Sequence, residues 1–258
     1  MEALPKIQGE LTVNKKIRYK QTMKNYRYII SLVLFTALFS CKKDTNTKLD
    51  PPVTVNVINA VVGLGQIKLN IDGSSGFYWS RASGLDYGGY RQYSSFTGTK
   101  NIKAVTTADT NKVVFNRTID LSAISTLYLT GQAPNVDTIF RNEKNIPFVS
   151  FENINPEFAC YVRFVNMAPD SPPLSVNIKS TNSAEVTGLA YKAVSAFKKY
   201  PALSTTGDYV FEITNSVTGA KLGEYTMNTN LSRYKTVSLV ITGLTSPNSI
   251  NVTQANYF

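Results

Sequence analysis

The sequence predicts an all-β chain, two tandem antiparallel β-sandwich domains behind an export signal and a short linker. Three observations predict it. Apolar and polar residues alternate at period two, as in strands with one buried face. The stretch that opens at Val53 is repeated in the second half of the chain, so two copies of one unit are expected. No segment after the N-terminal region has helical periodicity, apart from a helical turn expected near Leu121-Ser122-Ala123-Ile124. At 258 residues, 43% of them hydrophobic, the chain has material for two cores.

The first element is residues 1–40. Lys24 and Arg27 precede an apolar run from Ile29 to Phe39 that only Ser31 and Thr36 interrupt. A spanning helix needs about 20 apolar residues, so this shorter run reads as the core of a secretory signal behind a positive n-region. Residues 1–22 are out of place ahead of such a signal. They point to a true start at Met23, a long n-region being the alternative. The run closes on Leu38-Phe39-Ser40-Cys41, which resembles the lipobox of bacterial lipoproteins. That resemblance implies a diacylglyceryl group on the Cys41 sulfur and cleavage before Cys41. The other reading, a buried helix with a core cysteine, is opposed by Lys42-Lys43-Asp44, which follow at once. Burial contributes about 0.8 kcal/mol per methylene, and two or more acyl chains hold stably where one does not. Cys41 is thus read as a tether.

The second element, residues 41–52, is polar and ends in Pro51-Pro52, which reads as a flexible stalk. The third and fourth are the repeats, 53–146 and 147–258, with the boundary in the Pro- and Asn-rich stretch from Ile146 to Pro156. In the first repeat Ile67, Leu69 and Ile71 face the core, with Gln66, Lys68, Asn70 and Asp72 opposite; Leu174, Val176 and Ile178 do the same in the second. Val55–Ala60 lines up with Val162–Met167, Leu85-Asp86-Tyr87 with Leu189-Ala190-Tyr191, Tyr93 with Phe197, and Leu127–Gly131 with Leu239–Gly243. The offset drifts in the Gly/Ser/Asn-rich stretches Asp72–Gly76 and Thr214–Gly219, where loops accept insertions. About seven short strands are expected per repeat.

The second repeat opens with Cys160-Tyr161-Val162-Arg163-Phe164-Val165-Asn166-Met167-Ala168-Pro169-Asp170-Ser171-Pro172-Pro173-Leu174. This resembles the opening of domain-of-unknown-function family 4397, where a first strand runs through a Pro-Asp-x-Pro turn into a second. The resemblance extends over most of residues 53–258 and implies an immunoglobulin-like β-sandwich in envelope or secreted proteins. It brings no catalytic residues. The first repeat departs from it, with Val61-Val62-Gly63-Leu64-Gly65 in place of the turn.

Composition narrows the chemistry. The formal charge is +10, but Lys6, Lys15, Lys16, Arg18, Lys20, Lys24 and Arg27 lie in the signal region. The rest is spread with no run longer than Lys42-Lys43 or Lys198-Lys199, which argues against a nucleic-acid groove, since phosphate binding needs clustered cations. The chain has no histidine, which removes Ser-His and Cys-His nucleophile pairs and His-ligated metals. Of the two cysteines, Cys160 alternates with Phe158, Val162 and Phe164 and reads as a buried, inert thiol. Histidine-free glycoside hydrolysis needs paired carboxylates; Glu152, Glu157, Asp208, Glu212 and Glu224 are scattered, and no catalytic site is assigned.

The candidate ligand contacts are Tyr78, Trp79, Tyr90 and Asp170. Phe77-Tyr78-Trp79-Ser80-Arg81, with Tyr87, Tyr90 and Tyr93 following and Gly88-Gly89 between them, is the most aromatic part of the chain and suits a stacking surface. Tyr87 and Tyr93, having aromatic counterparts in the second repeat, read as core positions instead. Asp170 offers a carboxylate to a hard cation, but an Asp is equally expected there to cap its own turn. No acidic cluster surrounds it, and no metal or cofactor is assigned. The expected function is that of a lipid-anchored cell-envelope lipoprotein, placed at the outer membrane, acting as a non-catalytic binding or adhesion module for a glycan or protein partner. The alternative is a structural or accessory envelope lipoprotein that assembles with other proteins and takes no small ligand. Burial of both Tyr78 and Trp79 would favour the alternative.

Overall fold

The computed structural model describes residues 50–149, 158–179, 181, 183–246 and 248–257. The signal region, Cys41, Met23 and most of the stalk lie outside them, as do residues 150–157 of the expected boundary. Asp50–Phe258 forms one compact unit.

The unit is an all-β sandwich structure. The first repeat supplies β1 (Pro52–Asn59), β2 (Ile67–Asn70), β3 (Tyr90–Phe96), β4 (Gly98–Thr106), β5 (Val113–Leu121), β6 (Ile124–Gln132) and β7 (Asn135–Asn142). The second supplies β8 (Ala159–Asn166), β9 (Leu174–Ile178), β10 (Ser183–Leu189), β11 (Lys198–Pro201), β12 (Tyr209–Asn215), β13 (Lys221–Met227), β14 (Thr236–Thr242) and β15 (Asn251–Asn256). In the first repeat a sheet of order β3-β1-β6-β7 faces one of order β2-β4-β5; in the second, β11-β8-β14-β15 faces β10-β9-β12-β13. Pairing is antiparallel except between β1 and β6 and between β8 and β14, which run parallel. The expectation of purely antiparallel sheets is corrected at those two pairs. In each repeat the chain between the opening strand and its parallel neighbour runs through the opposite sheet and one edge strand of the same sheet, a connection long enough to bring it back in the same direction.

Each sandwich closes on its own core. Val53, Val55, Val57, Ile67, Leu69, Ile102, Leu127 and Leu129 pack in the first, and Val162, Phe164, Leu174, Val176, Phe211, Leu239 and Ile241 in the second. Fully burying one such side chain stabilises by about 1.5–3 kcal/mol. A third cluster joins Ile58, Ala60 and Tyr128 of the first repeat to Val165, Met167, Val240 and Ala255 of the second. The two β1- and β8-containing sheets therefore stack on each other, and β1, β6, β8 and β14 are buried on both faces. Equivalent residues meet there, Ile58 with Val165 and Ala60 with Met167 occupying the same positions in their repeats.

Both repeats brace the same turn with one asparagine. Asn59 donates from Nδ2 to the Leu85 carbonyl at 3.3 Å and accepts from the Val61 N–H at 3.4 Å. Asn166 donates to the Leu189 carbonyl at 3.0 Å and accepts from the Ala168 N–H at 3.0 Å. The first repeat thus keeps the turn geometry without the Pro-Asp-Ser-Pro sequence.

Four expectations need correction. Leu121–Ile124 is not helical: Leu121 ends β5 in the core, and the Ser122 N–H is taken by the Ser125 hydroxyl and the Asn142 side chain as the chain crosses between sheets. The short helices stand elsewhere, a 3-10 turn at Trp79–Arg81 and one α-turn at Thr229–Ser232 capped by Asn228. Asn70 is buried, not solvent-facing, because its side chain bonds the Gly73 N–H and the Ser74 carbonyl in the turn that follows β2. Tyr93 is not the counterpart of Phe197. Tyr93 pairs with Val55, and the equivalent Val162 pairs with Lys198, so one extra residue lies between the Lys192-Ala193 turn and β11. A one-residue slip moves a side chain to the other face: Tyr93 packs on its sandwich core, whereas Phe197 lies over Arg163 between the repeats. Tyr87 is not a core residue either, being 38% exposed.

Candidate functional site

The two repeats differ most on one edge. In the second, β10 lies antiparallel against β9, with Val186 opposite Val176 and Leu189 opposite Leu174. In the first, only the last of these pairings survives, as a bridge between Leu85 and Ile67 with bonds of 3.0 and 2.7 Å. The segment ahead of Leu85 cannot form a strand. Gly73 sits at φ +65° with the Asn101 backbone against it, Ser74-Ser75-Gly76 follow, and the chain then turns through Trp79–Arg81. Beyond the Leu85 bridge, β2 is a sheet edge.

What remains is an open groove of about 340 Å³. Leu69, Asn70, Ile71 and Asp72 form one wall, Arg91, Gln92, Tyr93 and Ser94 of β3 the other, and Phe77, Ala82 and Ser83 close one side. The size lies within the range of small-ligand sites, and the lining combines aromatic rings with convergent polar groups. The Arg91 guanidinium donates to the Gly84 carbonyl at 3.1 Å, fixing the loop to β3. The Asp72 carboxylate is held by the Ser95 hydroxyl. The Tyr93 hydroxyl is buried and has no hydrogen-bond partner among the described residues. Burial pushes its pKa up, and the Arg91 charge only partly offsets this, so the hydroxyl stays protonated and available as a donor. A buried polar atom left unpaired costs about 1–3 kcal/mol, which singles it out within the wall.

Of the residues expected to touch a ligand, Tyr78 is 65% exposed, with the Arg81 guanidinium 5.2 Å from its ring centre. Trp79 is half-buried, edge-on to Phe77 at 5.0 Å, and its carbonyl accepts from the Lys68 ammonium at 2.8 Å. These two stand on the segment that borders the groove, while Phe77 enters its lining. Tyr90 lies apart, half-buried against the cluster between the repeats, its hydroxyl 3.4 Å from the Asn256 amide. Asp170 is in the second repeat, where its carboxylate accepts from the Thr245 N–H and hydroxyl and the Ser246 N–H. Burial pushes its pKa up and these bonds pull it below the usual carboxylate range. Asp170 thus ties the turn after β8 to the loop after β14. Cys160 is buried among Val162 and Phe164, its thiol pushed up to about 11 by burial.

The scattered acidic residues, to which the sequence assigned no catalytic site, take other roles. Glu152 and Glu157 lie outside the described residues. Glu212 and Glu224 stand directly opposite each other on β12 and β13, with the Lys221 ammonium between them at 3.3 and 2.7 Å. Those contacts, with Lys179, hold Glu224 below its ordinary pKa, whereas a general acid needs a raised one. Among the described residues no group of three or more His, Cys, Asp or Glu is placed to hold a metal.

The most desolvated polar cluster lies between the repeats. Arg163 of β8 forms two hydrogen bonds with Glu143, at 2.5 and 3.0 Å, both side chains being 3% exposed. The guanidinium also reaches the hydroxyls of Ser238 at 2.8 Å, Tyr128 at 3.1 Å and Tyr257, with the Phe197 ring 4.7 Å away. Burial works against the Arg163 charge, and the Glu143 bonds more than restore it. The position equivalent to Arg163 in the first repeat is Asn56, which is buried with both amide atoms unpaired among the described residues. Neither the groove nor this cluster is visible in alternation alone. The available signal was the poor match between residues 72–84 and the β10 region.

No family model matches the chain, and no curated protein matches it by sequence. Among solved structures, a family 41 carbohydrate-binding module from streptococcal virulence factors, described for alpha-glucan recognition, aligns at 11% identity and a TM-score of 0.24, over 74% of this chain and 94% of that one. The fimbrial anchor protein Mfa2 from Porphyromonas gingivalis aligns at 11% and 0.23, over 80% and 97%. An adhesin from Bacteroides ovatus aligns at 12% and 0.22, over 79% and 90%. Likeness at this level transfers neither ligand nor partner.

Proposed function

We propose that the chain is a non-catalytic binding module of the bacterial cell envelope, held by acyl chains on Cys41 at the outer membrane, with its ligand site in the groove of the first repeat. One observation carries the reading: the second repeat fills this edge with β10, whereas the first leaves it open and lines it with Phe77, Tyr93 and unsatisfied hydrogen-bonding capacity. The exposed Tyr78 beside it widens the surface for a glycan or a protein segment. The test uses the whole chain, with Trp79 fluorescence following titration by neutral oligosaccharides and by extended peptides. Saturable binding that falls at least tenfold in Phe77→Ala, with its melting temperature near that of the parent, supports the reading. No saturable response to either ligand class overturns it. Radiolabelled fatty acid should appear on the chain and be lost in Cys41→Ser.

A further inference from the structure

We propose that the groove takes a partner protein's extended peptide, which adds as a strand to the open edge of β2; this rests on the binding-module reading and names its ligand class. The second repeat supplies the template. Its β10 pairs through Ala184 and Val186 with Asn177 and Val176 of β9, and Val186 packs on the sandwich core. In the first repeat Leu69 and Ile71 occupy the positions of Val176 and Ile178. The Ile67 backbone points away from β4, toward Leu85. By the two-residue period of a strand, the N–H and C=O groups of Leu69 point the same way, toward the groove that Leu69 lines. Among the described residues no backbone group bonds them on that side. An incoming strand would meet unpaired donors and acceptors, the basis of recognition by strand addition.

The side chains support the same occupant. In β10 the Glu185 carboxylate accepts from the Lys198 ammonium and the Tyr200 hydroxyl of β11, each at 2.6 Å. By the strand registers, β3 carries Tyr93 where β11 carries Lys198 and Ser95 where β11 carries Tyr200. Ser95 is already bonded to Asp72, while the Tyr93 hydroxyl is a donor without an acceptor among the described residues. The partner strand therefore carries an acceptor side chain at the Glu185 position, followed by an aliphatic residue opposite Leu69.

The probe is a synthetic peptide of β10 sequence, Ser-Ala-Glu-Val-Thr-Gly-Leu, blocked at both ends and titrated into the whole chain. Amide hydrogen exchange is read by NMR. At saturation, exchange at Leu69 slows at least tenfold. Tyr93→Phe weakens this peptide several-fold but leaves a peptide with Ala in place of Glu unaffected. Peptide binding that leaves Leu69 exchange unchanged overturns strand addition. So does saturable oligosaccharide binding at Phe77 with no response to the peptide, though that outcome sustains the binding-module reading. Silence toward both ligand classes overturns both.

Discussion

Replacing Arg163 with alanine should separate a buried charge from its nearest counter-ion, and the structure sets the size of the effect. Glu143 would keep the Tyr257 hydroxyl at 3.3 Å and Arg141 at 3.7 Å, the latter on a side chain 45% exposed. Neither replaces a two-point guanidinium contact. Removing one partner of such a pair costs about 3–5 kcal/mol, because the survivor stays buried and charged. For a folded unit of this size, 1 kcal/mol shifts the melting temperature by about 2–4 °C, so Arg163→Ala should lower it by about 6–20 °C. Glu143→Gln should cost less. It keeps one acceptor, and Arg163 retains the hydroxyls of Ser238, Tyr128 and Tyr257. The double variant Arg163→Met with Glu143→Leu should recover most of the loss, since an apolar pair of similar volume is often neutral or better. Burial pushes the Glu143 carboxyl up, but the hydrogen bonds and charge of Arg163 hold it below its ordinary 4.5. With the folded value depressed, the pair's contribution is full above about pH 4.5 and is lost as pH falls toward the folded value. Arg163→Ala should therefore lose stability less steeply in acid than the parent. The assay is calorimetric melting of the four chains from pH 3 to 7. An Arg163→Ala chain melting within about 3 °C of the parent would refute the argument.

Two further outcomes follow from the backbone and the interface. Gly131, one residue before the end of β6, and Gly243, just after β14, share a φ of +98°, and an added Cβ would strike the backbone of Asn135 or Ser249. Gly98 shares that φ with open space around it, so urea unfolding should show Gly98→Ala losing about 1–3 kcal/mol for the backbone alone and Gly131→Ala and Gly243→Ala losing more; equal losses at all three would contradict the clash. Asn56→Leu removes two unpaired polar atoms from the interface at similar volume and should raise stability by about 1–3 kcal/mol in guanidinium unfolding; a decrease would mean that Asn56 has a partner in solution.

The sequence by itself determined the all-β class, the duplication and the positions of β1, β2, β6, β8, β9 and β14. Alternation at Leu174, Val176 and Ile178 follows directly from the two-residue period of a strand, and the Asn59 and Asn166 pair marks the same turn in both copies. It also placed the aromatic segment at 77–79, now seen beside the groove. Tertiary structure decided the rest. Period two shows that a strand has two kinds of face, but it cannot show that the second face meets another sheet. Asn56, Thr126, Arg163 and Ser238 look like solvent-facing residues in the sequence, yet all are buried between the repeats. Nor can similarity of composition detect one inserted residue, which sent Phe197 to the opposite face from Tyr93. The open edge of β2 exists because a strand needs a neighbour in space, and whether residues 72–84 supply one depends on where the Gly73 turn and the Trp79–Arg81 turn carry the chain.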